Sequence, residues 1–159
     1  MIITHASAER ITEVKARSPY ALFLKGCLFF AAEGNEYNLA GECNYQYNLE
    51  VNNIIDVESF FSHHDIAEQA VQQVIELVRD DLEIEASDEE IAELLSNESS
   101  IRDFEFNGYD DEGEADWAIQ QYQGILAHKL GYDCAKSSDE QGVVYIAYCV
   151  GREMQEVEC

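Results

Sequence analysis

The sequence predicts an α+β fold built on a mixed or antiparallel sheet, and three observations carry that prediction. Segments of period two and of period 3.6 coexist in one chain. The strand-like segments come before, between and after the helical ones without a strand–helix–strand rhythm, which argues against a doubly wound parallel sheet. The 159 residues suit one domain, and a hydrophobic content of 47% supplies it with a core.

Taken in order, residues 1–5 (MIITH) are apolar and β-branched, a short opening strand. Residues 27–31 (CLFFA) form an apolar run after Gly26, as expected of a strand buried on both faces. Residues 44–51 alternate Tyr45, Tyr47, Leu49 and Val51 with Asn, Gln and Glu, the pattern of a half-buried strand. Asp65 reads as the N-cap of a helix through Val78, with Ile66, Ala70, Val71, Val74, Ile75 and Val78 on one stripe. Ser87 and Glu90 make a capping box before Ile91, Leu94 and Leu95, so a second helix starts there. A third is expected over 117–130, closed by Gly131 as a left-handed cap. Residues 143–149 (VVYIAYC) are a final strand.

Charge excludes several functions. The chain carries 9 Lys and Arg against 33 Asp and Glu, a net charge of −24. Such a surface repels nucleic acid and anionic membranes, so no direct nucleic-acid or membrane partner is expected. No apolar run approaches the length of a membrane span, and the N-terminus lacks a signal-peptide pattern. The charge is uneven, however. Residues 1–32 hold Arg10, Lys15, Arg17 and Lys25 against Glu9 and Glu13, whereas residues 80–116 hold 16 acids and only Arg102. An anionic ligand is therefore tolerated best near the N-terminal segment. Five cysteines, an odd number with no CxxC pair, are read as reduced thiols of a cytosolic protein and not as a disulfide framework or a zinc site; no metal is expected.

Standard catalytic motifs are absent. His63 and His64 read as surface or cap histidines, His128 as a boundary residue, and Cys27 and Cys149 as buried small hydrophobes. Two places differ. Thr4-His5-Ala6-Ser7 is a polar cluster ending an apolar strand, and Ser138-Asp139-Glu140-Gln141-Gly142 puts an acidic pair on a turn before the last strand.

Jointly, these two segments give the chain a resemblance to the ADP-ribosyltransferase superfamily, through His5-Ala6-Ser7, then Gly26-Cys27-Leu28-Phe29-Phe30-Ala31, then Tyr37, then Asp139-Glu140. More narrowly, it resembles the ADP-ribosyltransferase type of phage anti-CRISPR protein directed at type I-F surveillance complexes. Leu28-Phe29 with Ala31 and Glu33 carries part of that likeness; Trp117-Ala-Ile-Gln, Gly124-Ile-Leu-Ala and Leu130-Gly131-Tyr132 carry the most specific part, with residues 52–112 left as an acidic helical insertion in a single domain over 1–159.

The resemblance implies NAD as substrate. Asp139 corresponds to the family's catalytic acid, with Glu140 supporting it or facing solvent. His5 would hydrogen-bond a ribose, with Ala6 and Ser7 beside it, and Ala6 would present backbone N–H and C=O to the nicotinamide carboxamide. Phe29, Phe30 or Tyr37 would stack on the nicotinamide ring, and Arg10 and Lys25 are candidates for the pyrophosphate. A carboxylate near the ribose stabilises the cation formed as the nicotinamide bond breaks, a role that an acid of ordinary pKa can fill. The superfamily more often has Gly after the histidine and Glu within the last strand, where this chain has Ala6 and Asp139-Glu140. The implied partner is a protein subunit of a bacterial CRISPR surveillance complex, modified in the host cytoplasm so that target DNA is not recognised. The alternative is a non-catalytic acidic mimic of nucleic acid that blocks a DNA-binding protein.

Overall fold

In the computed structural model, which describes residues 1–16, 24–32, 43–139 and 142–158, seven strands form one sheet. They are β1 (Ile2–Ser7), β2 (Cys27–Ala32), β3 (Tyr45–Glu50), β4 (Ile54–Asp56), β5 (Cys134–Asp139), β6 (Gly142–Tyr148) and β7 (Gln155–Val157), in the spatial order β4-β5-β6-β2-β1-β3-β7. Every neighbouring pair is antiparallel except β4 with β5. The helices are α1 (Phe60–His63), α2 (Gln69–Leu82), α3 (Asp88–Leu95) and α4 (Glu112–Lys129). The mixed, mainly antiparallel α+β expectation holds.

Alternation along the strands separates two cores. On one face Ile3, Phe30, Leu49, Val51, Tyr145 and Ala147 pack together. On the other, Cys27, Phe29, Val144 and Ile146 meet Ile125 of α4. A third and larger core joins α2, α3 and α4 to Ile55 of β4 and Ala135 of β5. Helix α4 thus lies between the sheet and the other helices and is buried on most of its circumference, so it carries no single apolar stripe. Gly124 permits this: a Cβ there would stand 2.7 Å from both Cys27 Sγ and Ile146 Cγ2.

Several boundaries correct the sequence reading. The helix expected from Asp65 begins at Gln69; the Asp65 carboxylate instead accepts the Ala67 N–H at 2.8 Å, closing a short turn before it. The helix expected from Trp117 starts at Glu112, capped by the Asp111 side chain on the Glu114 N–H. Ser138 and Asp139 sit at the end of β5 and not on a turn. Strands β4, β5 and β7 and helix α1 were not anticipated. The capping box of Ser87 and Glu90 is present in both halves. Gly131, at φ +93°, is the left-handed residue after α4, where Tyr132 N–H reaches the Ala127 carbonyl at 2.9 Å. Cys27 and Cys149 are free and buried as expected, and Cys134 is free as expected, but Cys43 is disulfide-bonded, so the cysteines are not all reduced. Among the described residues no helix is long and apolar enough to cross a membrane.

Candidate active site

The centre of the sheet opens where the sequence places its polar cluster. Strand β1 pairs with β2 over Ile3↔Ala32 and Thr4↔Ala31, and there the described pairing ends. Its pairing with β3 continues to Ser7↔Tyr45. At the point of parting, His5 turns its ring toward β2, and Nδ1 meets the Phe29 carbonyl oxygen at 2.7 Å. A carbonyl only accepts, so Nδ1 carries the hydrogen. The ring also lies 5.7 Å from that of Phe30. Burial lowers the His5 pKa, outweighing the support that the Phe29 carbonyl gives the cation. His5 is therefore neutral at pH 7, with Nε2 as an acceptor.

Backbone parity settles how Ala6 is oriented. The carbonyls of Met1 and Ser7 accept N–H groups of Val51 and Asn44 on the β3 side. In an antiparallel sheet alternate residues bond to opposite neighbours. The odd positions of β1 thus face β3, and the N–H and C=O of Ala6 point to the β2 side, beyond the end of the β1–β2 ladder. Ser7 is committed locally: its hydroxyl donates to the Glu9 carbonyl at 2.6 Å.

The other expected residues are placed as follows. Phe29 and Phe30 are both in the core, 7% and 0% exposed and on opposite faces of the sheet. The edge of Trp117 packs on Phe29 at 5.3 Å between ring centroids. Arg10 is exposed and pairs with Glu156 at 3.2 Å. Lys25 is more enclosed, 3.2 Å from Asp81 and over the ring of Tyr109. Asp139 closes β5 opposite Gly142, with β6 and β2 between its strand and β1, and the row through Phe30 and Tyr145 reaches β5 at Lys136, three residues before Asp139, so the sheet does not set the acid beside His5 and Ala6. Tyr37 and Glu140 lie outside the described residues.

Over residues 1–156 the sequence matches the family described as anti-CRISPR type I-F ADP-ribosyltransferase AcrIF11. The chain belongs to that family. Among solved structures it is similar to one described as the crystal structure of an anti-CRISPR protein, with 20% identity and a TM-score of 0.58, covering 99% of this chain and 95% of that one. At that identity the likeness is one of fold. No curated protein matches the sequence. The family makes this an NAD-dependent ADP-ribosyltransferase of the anti-CRISPR kind, and the resemblance read from the motifs holds at that level.

Sequence reasoning missed two polar clusters that brace this fold, one at the start of β2 and one beside β4. Gln121 of α4 accepts the N–H groups of Lys25 and Cys27 at 2.9 Å each and donates to the Cys27 carbonyl at 3.0 Å, fixing the start of β2. His64 bridges Glu68 at 3.0 Å and the Tyr132 hydroxyl at 2.9 Å, tying the end of α1 to the turn after α4. A glutamine inside a helix that carries no apolar stripe offers no signal of its role; a histidine beside a helix start offers only a weak one.

Proposed function

We propose that the parting of β1 from β2 is the NAD site and that the chain transfers ADP-ribose from NAD to a subunit of a type I-F CRISPR surveillance complex. The observation that supports this is the pairing of a neutral, half-buried His5 with an Ala6 whose backbone groups face the opening. His5 Nε2 would accept from a ribose hydroxyl, because Nδ1 is already engaged by Phe29. Ala6 would hold the carboxamide of nicotinamide with one donor and one acceptor, fixing a planar group without a side chain. Of the two cations, Arg10 suits the pyrophosphate better. Its pair with Glu156 is solvent-exposed and of small worth, so the guanidinium can turn to a phosphate, whereas Lys25 is held in a more enclosed pair. With Phe29 and Phe30 in the core, stacking on the nicotinamide falls to Tyr37 of the three aromatics considered.

Departure of nicotinamide from NAD builds positive charge on the ribose. Asp139 would face that charge as a carboxylate, with Glu140 in support. The target is recognised through charge: the 16 acids of residues 80–116 complement a basic, DNA-binding groove. An added ADP-ribose then brings bulk and negative charge to a surface meant for DNA. The site of action is the bacterial cytoplasm, where such complexes work.

The test is incubation with labelled NAD and purified type I-F complex. One subunit should take up label at substoichiometric enzyme, and Asp139→Ala should lose about 10²–10³ of the rate, the scale of losing one electrostatic stabiliser of a transition state. Undiminished labelling by Asp139→Ala would refute the assigned acid. Inhibition that needs equimolar protein, ignores NAD and fades with salt would instead make the chain a mimic of nucleic acid.

A further inference from the structure

We propose that Asn97 is a positioning residue for the acid of the transfer reaction, its side-chain amide fixing the end of β5 two residues before Asp139. The proposal rests on the reading of Asp139 given above. Three elements meet at Asn97. Its Nδ2 donates to the Ser137 hydroxyl of β5 at 2.9 Å, and its Oδ1 accepts from Gln123 Nε2 of α4 at 2.8 Å. Gln123 Nε2 also reaches the Leu95 carbonyl at the end of α3 at 3.0 Å. Ser137 and Gln123 are 6% and 0% exposed whereas Asn97 itself is exposed, so the bridge runs from the surface to two buried side chains.

Asn97 is not required there by the backbone alone. It is the left-handed residue after α3, at φ 62°, with Glu98 N–H on the Glu93 carbonyl at 2.8 Å and Asn97 N–H on the Leu94 carbonyl at 3.3 Å. Glycine serves that cap with less strain than any side chain. What asparagine adds is the amide bridge.

The bridge is also poorly explained by stability. Gln123 Oε1 is buried with no hydrogen-bond partner among the described residues. Leaving such an acceptor unmet is a cost that an apolar side chain would avoid. Packing beside the strand end is incomplete, because a cavity of about 180 Å³ opens there, lined by Asn97, Lys136, Ser137 and Ser138 together with Val57 and Val143. On the cavity side the strand end has fewer dispersion contacts, so directed hydrogen bonds there carry more of its positioning. A displacement of about 1 Å at the acid costs up to a hundredfold in rate, so holding the strand end matters to the chemistry.

The experiment measures nicotinamide release and thermal unfolding for Asn97→Gly, Ser137→Ala, the double variant and Asp139→Asn. Asn97→Gly keeps the helix cap and removes only the amide. It should lower kcat about tenfold with KM for NAD within about twofold, the signature of a contact that acts on the transition state and not on ground-state binding. Ser137→Ala should do likewise, and the double variant should be no worse than the more damaging single one, because both cut the same bridge. Wild-type kcat in Asn97→Gly, additive losses, or a loss explained wholly by unfolded protein would overturn the proposal. Should Asn97→Gly not fold, Ser137→Ala carries the same comparison. An inactive Asp139→Asn beside a fully active Asn97→Gly sinks this inference alone, whereas an active Asp139→Asn sinks the reading beneath it as well.

Discussion

Two buried glutamines on one helix, Gln121 and Gln123, do unequal work. Two residues apart, they leave α4 about 200° apart around its axis and reach different parts of the sheet. Gln121 meets the start of β2 with every polar atom of its amide engaged, by two backbone N–H groups and one carbonyl. Gln123 serves the end of β5 only through Asn97, and its own oxygen is left without a partner. The first is a completed clamp on the strand that borders the opening at His5. The second is an incomplete relay to the strand that carries Asp139. The difference teaches that this fold holds one wall of the proposed site by direct backbone contact and the other through side chains.

Breaking the clamp should produce the largest effect on stability. Gln121→Leu leaves the buried N–H and carbonyl of Cys27 and the half-buried N–H of Lys25 without that partner, a loss of about 3 kcal/mol. Urea unfolding reads this directly, and a loss below about 1 kcal/mol would show that β2 does not depend on the clamp. The next effect is steric. Gly124→Ala puts a methyl 2.7 Å from Cys27 Sγ and Ile146 Cγ2, both in the buried layer under α4. Overpacking there should outweigh the better helix propensity of alanine and cost about 1–2 kcal/mol net. A gain in stability would mean that α4 can lift from the sheet freely.

The relay predicts less. Gln123→Leu strands the Leu95 carbonyl but also removes the unpartnered oxygen, so the two changes oppose one another and the net should stay within about 1 kcal/mol of zero. Its kcat should fall as that of Asn97→Gly does. A Gln123→Leu variant as unstable as Gln121→Leu would erase the distinction between the two glutamines.

Much of this was legible in the chain, for reasons that differ by element. Residues 27–31 and 143–149 announce β2 and β6 because a strand buried on both faces needs an unbroken apolar run. Ser87 with Glu90, and Gly131, announce helix ends because caps are local chemistry. Strand β5 (CAKSSD) was hidden. It lies under α4 and beside α3, where small residues such as Ala135 and Ser137 fit, so neither hydrophobic alternation nor bulk marks it. The proposed site divides in the same way. His5 and Ala6 stood out as a polar break in an apolar strand, but the parting of β1 from β2 is a long-range event with no local signature. Asn97 reads in sequence as one more polar residue after a helix; only the fold brings Ser137 and Gln123 to it.

The smallest expected effect, a pH dependence, belongs to the clamped wall. Burial lowers the folded-state pKa of His5 below its ordinary 6.5. Above that value both folded and unfolded chains carry a neutral ring, and His5 adds no pH dependence. As pH falls below it, the unfolded chain binds the proton first, so stability drops until the folded pKa is reached and then levels with respect to this group. The slope can reach at most one proton. His5→Gln should remove this component, and the unfolding free energies of the two proteins should diverge in slope between about pH 7 and 5. His128, also lowered by burial, is present in both and cancels from the difference. The carboxylates of Asp88 and Asp133 are held below their usual range, so they act at still lower pH and lie outside this window. Parallel curves would mean that His5 accepts a proton in place, with its bond to the Phe29 carbonyl intact. That would make it a cation in the opening, better suited to hold the pyrophosphate of NAD than to accept from a ribose hydroxyl.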